Sequence, residues 1–338
     1  MWVVTEKEVD GKEVIKARLC ARGFQETTEI RRDSPTVSKM SLRIFFLLAA
    51  SKNWEVKSLD AKSAFLQGES IDRLVYVVPP DEGKKSEGTL WQLRKRLYGL
   101  GDAPRGWYLR VRQVLEDLGC SKTRLDPALF VYRSSKGEIR GLLGAHVDDF
   151  LYAGDDQFRV DVIEQLKKKI VVGTAEVRRF SYVGWEVEQS RNGEVSVSQT
   201  NFVHQLKEIS VADMRGDNKH KVLEEYKQKR FRSGVGSLNW LANNTRPDLA
   251  FEVMEMSTKF GKATVDNMRK VARAIKKAKE QQIRPKFSRL GDLSKVVIVA
   301  YGDGAYGSLW DGVSSVAGKV VLAVGDGGKS CPLSWGSN

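Results

Sequence analysis

Three aspartates carry the chemistry this sequence can be read for. Asp148 and Asp149 stand side by side in "AHVDDFLYAG", between the apolar runs "LLGAHV" and "FLYA". An unpaired ionised carboxylate in apolar surroundings is costly, so such groups pair or bind a metal. A two-residue hairpin turn is the plain alternative, because Asp suits turns and both flanks read as strands. Asp60 closes another strand-like stretch, "WEVKSLD", far upstream. If those strands are neighbours in one sheet, three carboxylates converge at its end. Such hard oxygen donors suit Mg²⁺, which is usually shared with substrate phosphates. Two ions about 3.5–4 Å apart can activate an attacking hydroxyl and stabilise the leaving oxygen of an in-line displacement. That is phosphoryl transfer.

The carboxylates need a sheet to hold them, and the flanking patterns provide one. Residues 1–20 alternate as a hairpin around Asp10 and Gly11. "SKMSLRIFFLLAASKN" has apolar residues at helical spacing behind Ser38 as N-cap. "APRGWYLRVRQVLEDLGC" reads as a helix, with Pro104 near its start and Gly119 at its end. "LVYVVPP" reads as a strand stopped by prolines, and "PALFVYRS" and "IRGLLGAHV" as strands around an "SKGE" turn. "QFRVDVIEQLKKKI" is an amphipathic helix, and "FSYVGWEVEQS" and "EVSVSQ" flank "RNG", a strong hairpin signal. After residue 200 the pattern turns helical, ending in "VDNMRKVARAIKKAKEQQ". From Lys295 strands resume with "KVVIVAY", a Gly-rich turn after Asp303 and "VAGKVVLAV". The expected order is an α+β region, a helical region and the start of a second β-rich unit.

At 338 residues the chain has room for two or more domains of about 100–200 residues each. Its 41% apolar content supports packed cores rather than disorder. The net charge of +13 suits a polyanionic partner such as nucleic acid or a membrane surface, a merely basic soluble protein being the plain alternative. Cys20, Cys120 and Cys331 lie far apart and make no metal-ligand spacing, which fits buried thiols in a reduced intracellular setting. The first residues lack the apolar core of a signal peptide. The longest apolar run, "IFFLLAA", is well short of the ~20 residues of a membrane span, so a soluble chain is expected.

Six stretches then occur in order: "KARLCARGF", "LDAKSAFLQG", "LYGLGDAPRGWY", "HVDDFLYAG", "YVGWEV" and "VGSLNWLANNTRPDLAF". Together they resemble the reverse transcriptase of copia-type LTR retrotransposon polyproteins, from Trp2 to the C-terminus. The resemblance implies an α+β right-hand polymerase followed by a partial RNase H-like unit. Fingers and palm would occupy residues 1–200, a helical thumb or connection 201–290, and an incomplete RNase H-like domain 291–338. It also implies a polyprotein fragment truncated at both ends.

Under that resemblance Asp60, Asp148 and Asp149 match the palm carboxylates that hold two Mg²⁺ ions, with Mn²⁺ as the alternative. Phe65 matches the aromatic that blocks a ribose 2′-OH, the plainer reading being a core aromatic on a strand-to-helix turn. Lys16, Arg18 and Arg22 match the triphosphate clamp, where alternating basic residues could also simply face solvent. Asp102 stands where the family usually has Gln, and a carboxylate there would face the triphosphate at a cost in affinity unless it is protonated or turned away. His146 replaces a usual Tyr, and Thr174 a usual Lys. Arg94, Lys95 and Arg105, interleaved with aromatics, and Lys276 and Lys277 in the basic 269–286 run are candidate backbone contacts to nucleic acid, although a charge run on one helix could also be a solvated face. Asp303 matches the first RNase H carboxylate, without the downstream acids such a site needs.

The expectation is an RNA-directed DNA polymerase that uses dNTPs, an RNA template and a DNA primer. The rival is an inactive relic that only binds nucleic acid. A nuclease acting through the C-terminal unit is disfavoured. The expected setting is intracellular, in cytoplasmic particles, the nucleus or both.

Overall fold

The computed structural model describes residues 1–9, 12–305 and 315–338. The expected turn at Asp10–Gly11 and most of the Gly-rich turn after Asp303 lie outside the described residues. Among those residues, no helix is long and apolar enough to cross a membrane. Contacts divide the chain into two units, Met1–Ser38 with Lys57–Glu176, and Lys39–Val56 with Val177–Asn338. The chain thus leaves the first unit early, for helix α1 (Lys39–Ser51), and then returns.

The first unit opens with an antiparallel ribbon, β1 (Trp2–Val9) and β2 (Lys12–Leu19), registered from Trp2↔Leu19 to Val9↔Lys12. The first strand of its main sheet is β3 (Lys57–Asp60), followed by the one-turn helix α2 (Ala64–Gln67). "LVYVVPP" yields only a two-residue strand, β4 (Tyr76–Val77), paired with β5 (Trp91–Gln92). Helix α3 (Ala103–Asp117) has Pro104 in its first turn, and it leads by way of Gly119 (φ 82°) into β6 (Cys120–Lys122). Three longer strands follow: β7 (Leu129–Arg133), β8 (Ile139–His146) and β9 (Asp149–Gly154). With the two-residue β10 (Glu176–Val177), the sheet order is β10-β3-β9-β8-β7-β6. Sequence-distant β3 therefore lies directly against β9.

One face of this sheet is packed by α3, whose Trp107, Val111, Val114 and Leu115 recur at helical spacing and are buried on Phe130, Leu143 and Phe150. Helices α4 (Asp156–Phe158) and α5 (Glu164–Lys169) bracket a π turn over Arg159–Ile163 and bring Val162, Ile163 and Leu166 to the same core. Burying each such side chain contributes roughly 2 kcal/mol, so this core fixes where β3 and β9 end. Cys120 belongs to it, and burial pushes its thiol up to about 12.

The second unit has a sheet of β11 (Arg179–Tyr182), β12 (Trp185–Gln189), β13 (Val195–Ser198) and β14 (Lys286–Phe287). "FSYVGWEV", expected as one strand, is two strands joined at Val183 (φ 50°) and Gly184 (φ 75°). Positive φ at both positions is the hairpin turn whose twist matches its strands. An apolar Val-Gly pair does not announce that turn as Asn-Gly would. The "RNG" hairpin forms between β12 and β13 as expected, with Gly193 at φ 86°.

Helices α6 (Thr200–Gln205), α7 (Glu225–Asn244), α8 (Ala250–Ser257) and α9 (Val265–Glu280) pack around Phe231, Leu238, Leu241, Met268 and Val271. The meander β15 (Val297–Ala305), β16 (Val316–Val324) and β17 (Ser330–Ser337) ends the chain. Helix α1 belongs here because Phe46 packs 5.6 Å from the Phe287 ring and 6.3 Å from Trp185. The observed unit boundaries therefore differ from the expected divisions at residues 200 and 290. Cys331 is buried in this unit, and Cys20 in the first is half-buried.

Candidate functional site

The register of the first unit does what the three aspartates require. Asp60, last in β3, lies opposite Asp149, first in β9, and Asp149 lies opposite His146 on its other side. Directly opposed residues share a sheet face. Asp148 occupies the turn between β8 and β9, and its carbonyl accepts the Ala61 amide at 2.8 Å. The Asp60 carbonyl accepts the Gly173 amide at 2.7 Å, so 171–173 runs beside the strand end and leaves exposed Thr174 next to it. The aspartates are thus gathered at one end of one sheet.

The turn itself is strained. Val147 has φ 55°, a conformation unusual for a β-branched residue. Its carbonyl accepts a 2.6 Å hydrogen bond from the buried Trp107 indole nitrogen. The two-residue turn and the carboxylate cluster are therefore one object.

Phe65, half-buried beside this end, packs its ring 4.7 Å from that of Tyr98 at 49°. Burial raises the Tyr98 phenol above its usual pKa; the Asp148 and Asp60 charges add to that, and Arg18 opposes it. Tyr98, Phe65, Arg18 and two of the aspartates thus share one neighbourhood. Tyr98 was legible only as one of several interleaved aromatics. Lys16 lies two residues from Arg18 on β2, so both point to one face of the ribbon, with Lys16 exposed. Arg22 is exposed beyond the ribbon.

Two glycines dock the ribbon. The Ala21 amide donates to the Tyr98 carbonyl at 2.7 Å. A Cβ on Gly99 would come within 2.1 Å of the Ala21 oxygen, and one on Gly23 within 2.1 Å of the Gly99 oxygen. The motifs "CARGF" and "LYGLG" are therefore two backbones in contact, which only glycine allows.

Asp102 does not face this site. It is 4% exposed, and its carboxylate accepts from Arg73 at 2.6 and 3.2 Å and from Arg96 at 2.9 Å. Burial alone would raise its pKa, but hydrogen bonds and charges from the two arginines outweigh this and hold it below the usual carboxylate value. Of the alternatives open for this carboxylate, the structure shows the one in which it is turned away: two guanidinium groups draw it inward.

The expected nucleic-acid contacts divide in the same way. Arg94 is exposed. The Lys95 ammonium donates to the Gly68 carbonyl at 2.7 Å, and Arg105 pairs with Asp33. On α9, Lys277 lies 3.5 Å from Glu252 and 3.8 Å from Asp248, and Lys276 3.6 Å from Glu280. Lys270 and Lys279 pair with Glu255 and Glu208. The basic run is thus largely paired with acids of its own unit. Asp303 is exposed on β15 opposite Gly318, where its carboxylate accepts the Gly304 amide at 3.0 Å.

Among the described residues no three His, Cys, Asp or Glu side chains form a ready-made metal cage. A carboxylate pair on one sheet face with a third in the adjoining turn still suits Mg²⁺. That ion keeps several waters and shares its shell with substrate phosphates rather than filling a protein cage.

The family described as reverse transcriptase (RNA-dependent DNA polymerase) matches residues 1–222. A retrovirus-related Pol polyprotein from transposon RE1 of Arabidopsis thaliana is 28% identical over 99% of this chain and 23% of its own length. One from transposon TNT 1-94 of Nicotiana tabacum is 38% identical over 46% of this chain and 12% of its own. A putative transposon Ty5-1 protein of Saccharomyces cerevisiae is 22% identical over 82% of this chain and 92% of its own. This chain spans about a quarter of the length of the Arabidopsis relatives it matches. A prototype foamy virus protease–reverse transcriptase structure matches at TM-score 0.29 and 13% identity, and at that score it places no residue here.

Proposed function

Because this chain belongs to the reverse transcriptase (RNA-dependent DNA polymerase) family, we propose that its first unit extends a DNA primer on an RNA template from dNTPs. The observation that carries the reading is the register Asp60↔Asp149 beside the Val147–Asp148 turn. Asp60, Asp148 and Asp149 would hold Mg²⁺, with Mn²⁺ as the alternative. The ions, when bound, supply the positive charge that neutralises the triphosphate and favours the ionised primer 3′-oxygen.

The chain's own residues do the rest by position and charge. Arg18, next to Tyr98, is placed to draw phosphate oxygens toward the aspartates, with Lys16 on the same ribbon face and Arg22 beyond. Guanidinium and ammonium groups make strong charge-assisted hydrogen bonds to such oxygens. Phe65, braced by Tyr98, offers a flat apolar surface to the sugar, which favours a 2′-deoxyribose over a ribose. The primer 3′-oxygen attacks the α-phosphorus, and pyrophosphate leaves. Arg94 remains the exposed candidate for a template or primer phosphate.

The test is primer extension on poly(rA)–oligo(dT) with Mg²⁺ and dTTP, beside an Asp148→Asn, Asp149→Asn double mutant. Extension that disappears in the mutant supports the reading. If the wild type makes no product while both proteins bind the duplex equally, the chain is an inactive nucleic-acid binder.

A further inference from the structure

Asp102 sits at the N-cap position of α3, where an aspartate ordinarily accepts hydrogen bonds from the helix's first amides. Its side chain makes no cap bond there. The carboxylate turns back, and Oδ2 accepts Nε of Arg96 at 2.9 Å, six residues earlier. This ion pair ties together the two ends of the loop Leu97–Gly101, which carries Tyr98 and Gly99. Within the loop, the Leu100 amide donates to the Leu97 carbonyl at 3.2 Å.

Arg73 ties the loop to its surroundings. It donates to both oxygens of Asp102 and, at 2.8 and 3.0 Å, to Glu26 just beyond Gly23. Arg96 also donates to the carbonyls of Glu69 and Ser70 at 3.1 and 3.0 Å. Gly106 leaves the space that Arg96 fills: a Cβ there would lie 2.5 Å from the Arg96 Cδ. With Arg96 and Asp102 buried and Arg73 half-buried, the network is stiff as well as strong.

We infer that Asp102 is a positioning residue: with Arg96 and Arg73 it fixes the Leu97–Gly101 loop, and thereby sets the Tyr98 ring against Phe65 at the carboxylate end of the sheet. The inference rests on the polymerase reading for its effect on nucleotide use, but not for its effect on the loop. Asp102 touches no substrate and acts through Tyr98.

The test compares wild type with Asp102→Asn, Tyr98→Ala and the double variant, measuring kcat and KM for dTTP on poly(rA)–oligo(dT). Asp102→Asn is expected to raise KM by about fivefold while kcat changes by less than about twofold. In the double variant KM should match that of Tyr98→Ala alone, because one residue acts through the other. Additive effects on KM, or an Asp102→Asn KM equal to wild type, would overturn the inference, whatever happens to stability. Hydrogen exchange of residues 97–101 is measured in parallel and needs no activity. Exchange there should accelerate in Asp102→Asn while β3 and β9 stay protected, and unchanged exchange would count against the inference. If the wild type makes no product, the polymerase reading fails, and exchange alone decides the loop. If Asp102→Asn does not fold, Arg96→Lys, which keeps the charge and loses the planar fork, takes its place with the same expected outcomes.

Discussion

Val147 shows how much a single residue is asked to hold at this site. Its positive φ stores strain of order 1–3 kcal/mol, and the Trp107 indole is the partner that fixes its carbonyl. Trp107→Phe should keep most of the packing but leave that carbonyl without its donor, lowering stability by about 1–3 kcal/mol. Urea unfolding reads the stability change, and primer extension should fall with it because the turn carries Asp148. Asp102 gives a pH signature. Its folded-state pKa lies below the ordinary Asp value of 3.8, so its contribution to stability is fully present above that value. It is lost as pH falls through the lower, folded value. Urea midpoints measured down the acid limb should therefore fall less steeply in Asp102→Asn than in wild type. Equal slopes would mean the arginines do not distinguish the ionised carboxylate.

At the scale of elements, the end of the ribbon β1–β2 is docked on the Leu97–Gly101 loop through glycine contacts. Gly99→Ala meets the Ala21 carbonyl and a φ of 91° together, so a loss on the order of 3 kcal/mol is expected. Limited proteolysis should then cut near residues 20–25 first. Helix α9 supports the opposite kind of expectation. Lys277 already faces Glu252 and Asp248, so Lys277→Ala should change the salt slope of RNA–DNA binding by less than about one unit. A full unit lost would restore α9 as a phosphate-binding face. The same two cases show what the sequence discloses. The strand ends at Asp60 and Asp149 follow from the strand-like stretches beside them, and with one pairing assumed the carboxylates meet. The partners of Asp102 and Lys277 are long-range, and no periodicity names Arg73 or Glu252. A type of residue was legible there, but what it faces was not. The Val183–Gly184 turn was missed for a different reason, because its apolar residues continue the strand pattern around it.

At the scale of the whole chain, charge and connectivity dominate. A net +13 favours association with a polyanion in low salt, yet many of its cations are spent on neighbouring acids. The second unit is held by Arg43, 4% exposed, which lies 3.6 Å over the Trp335 ring and donates to the Leu333, Asn243 and Asn244 carbonyls. Burial lowers this guanidinium to about 10, so it stays charged at neutral pH. Trp335→Ala should cost about 3–5 kcal/mol, with loss of near-ultraviolet circular dichroism as the readout. Arg43 and Leu333 are separated by 290 positions. Helix α1, with Phe45 and Phe46 fully buried in the finished protein, leaves the ribosome long before β17 exists to cover it. Until Trp185 has been made, its apolar face lacks even the partner of Phe46, which is the state in which nascent chains aggregate or recruit chaperones.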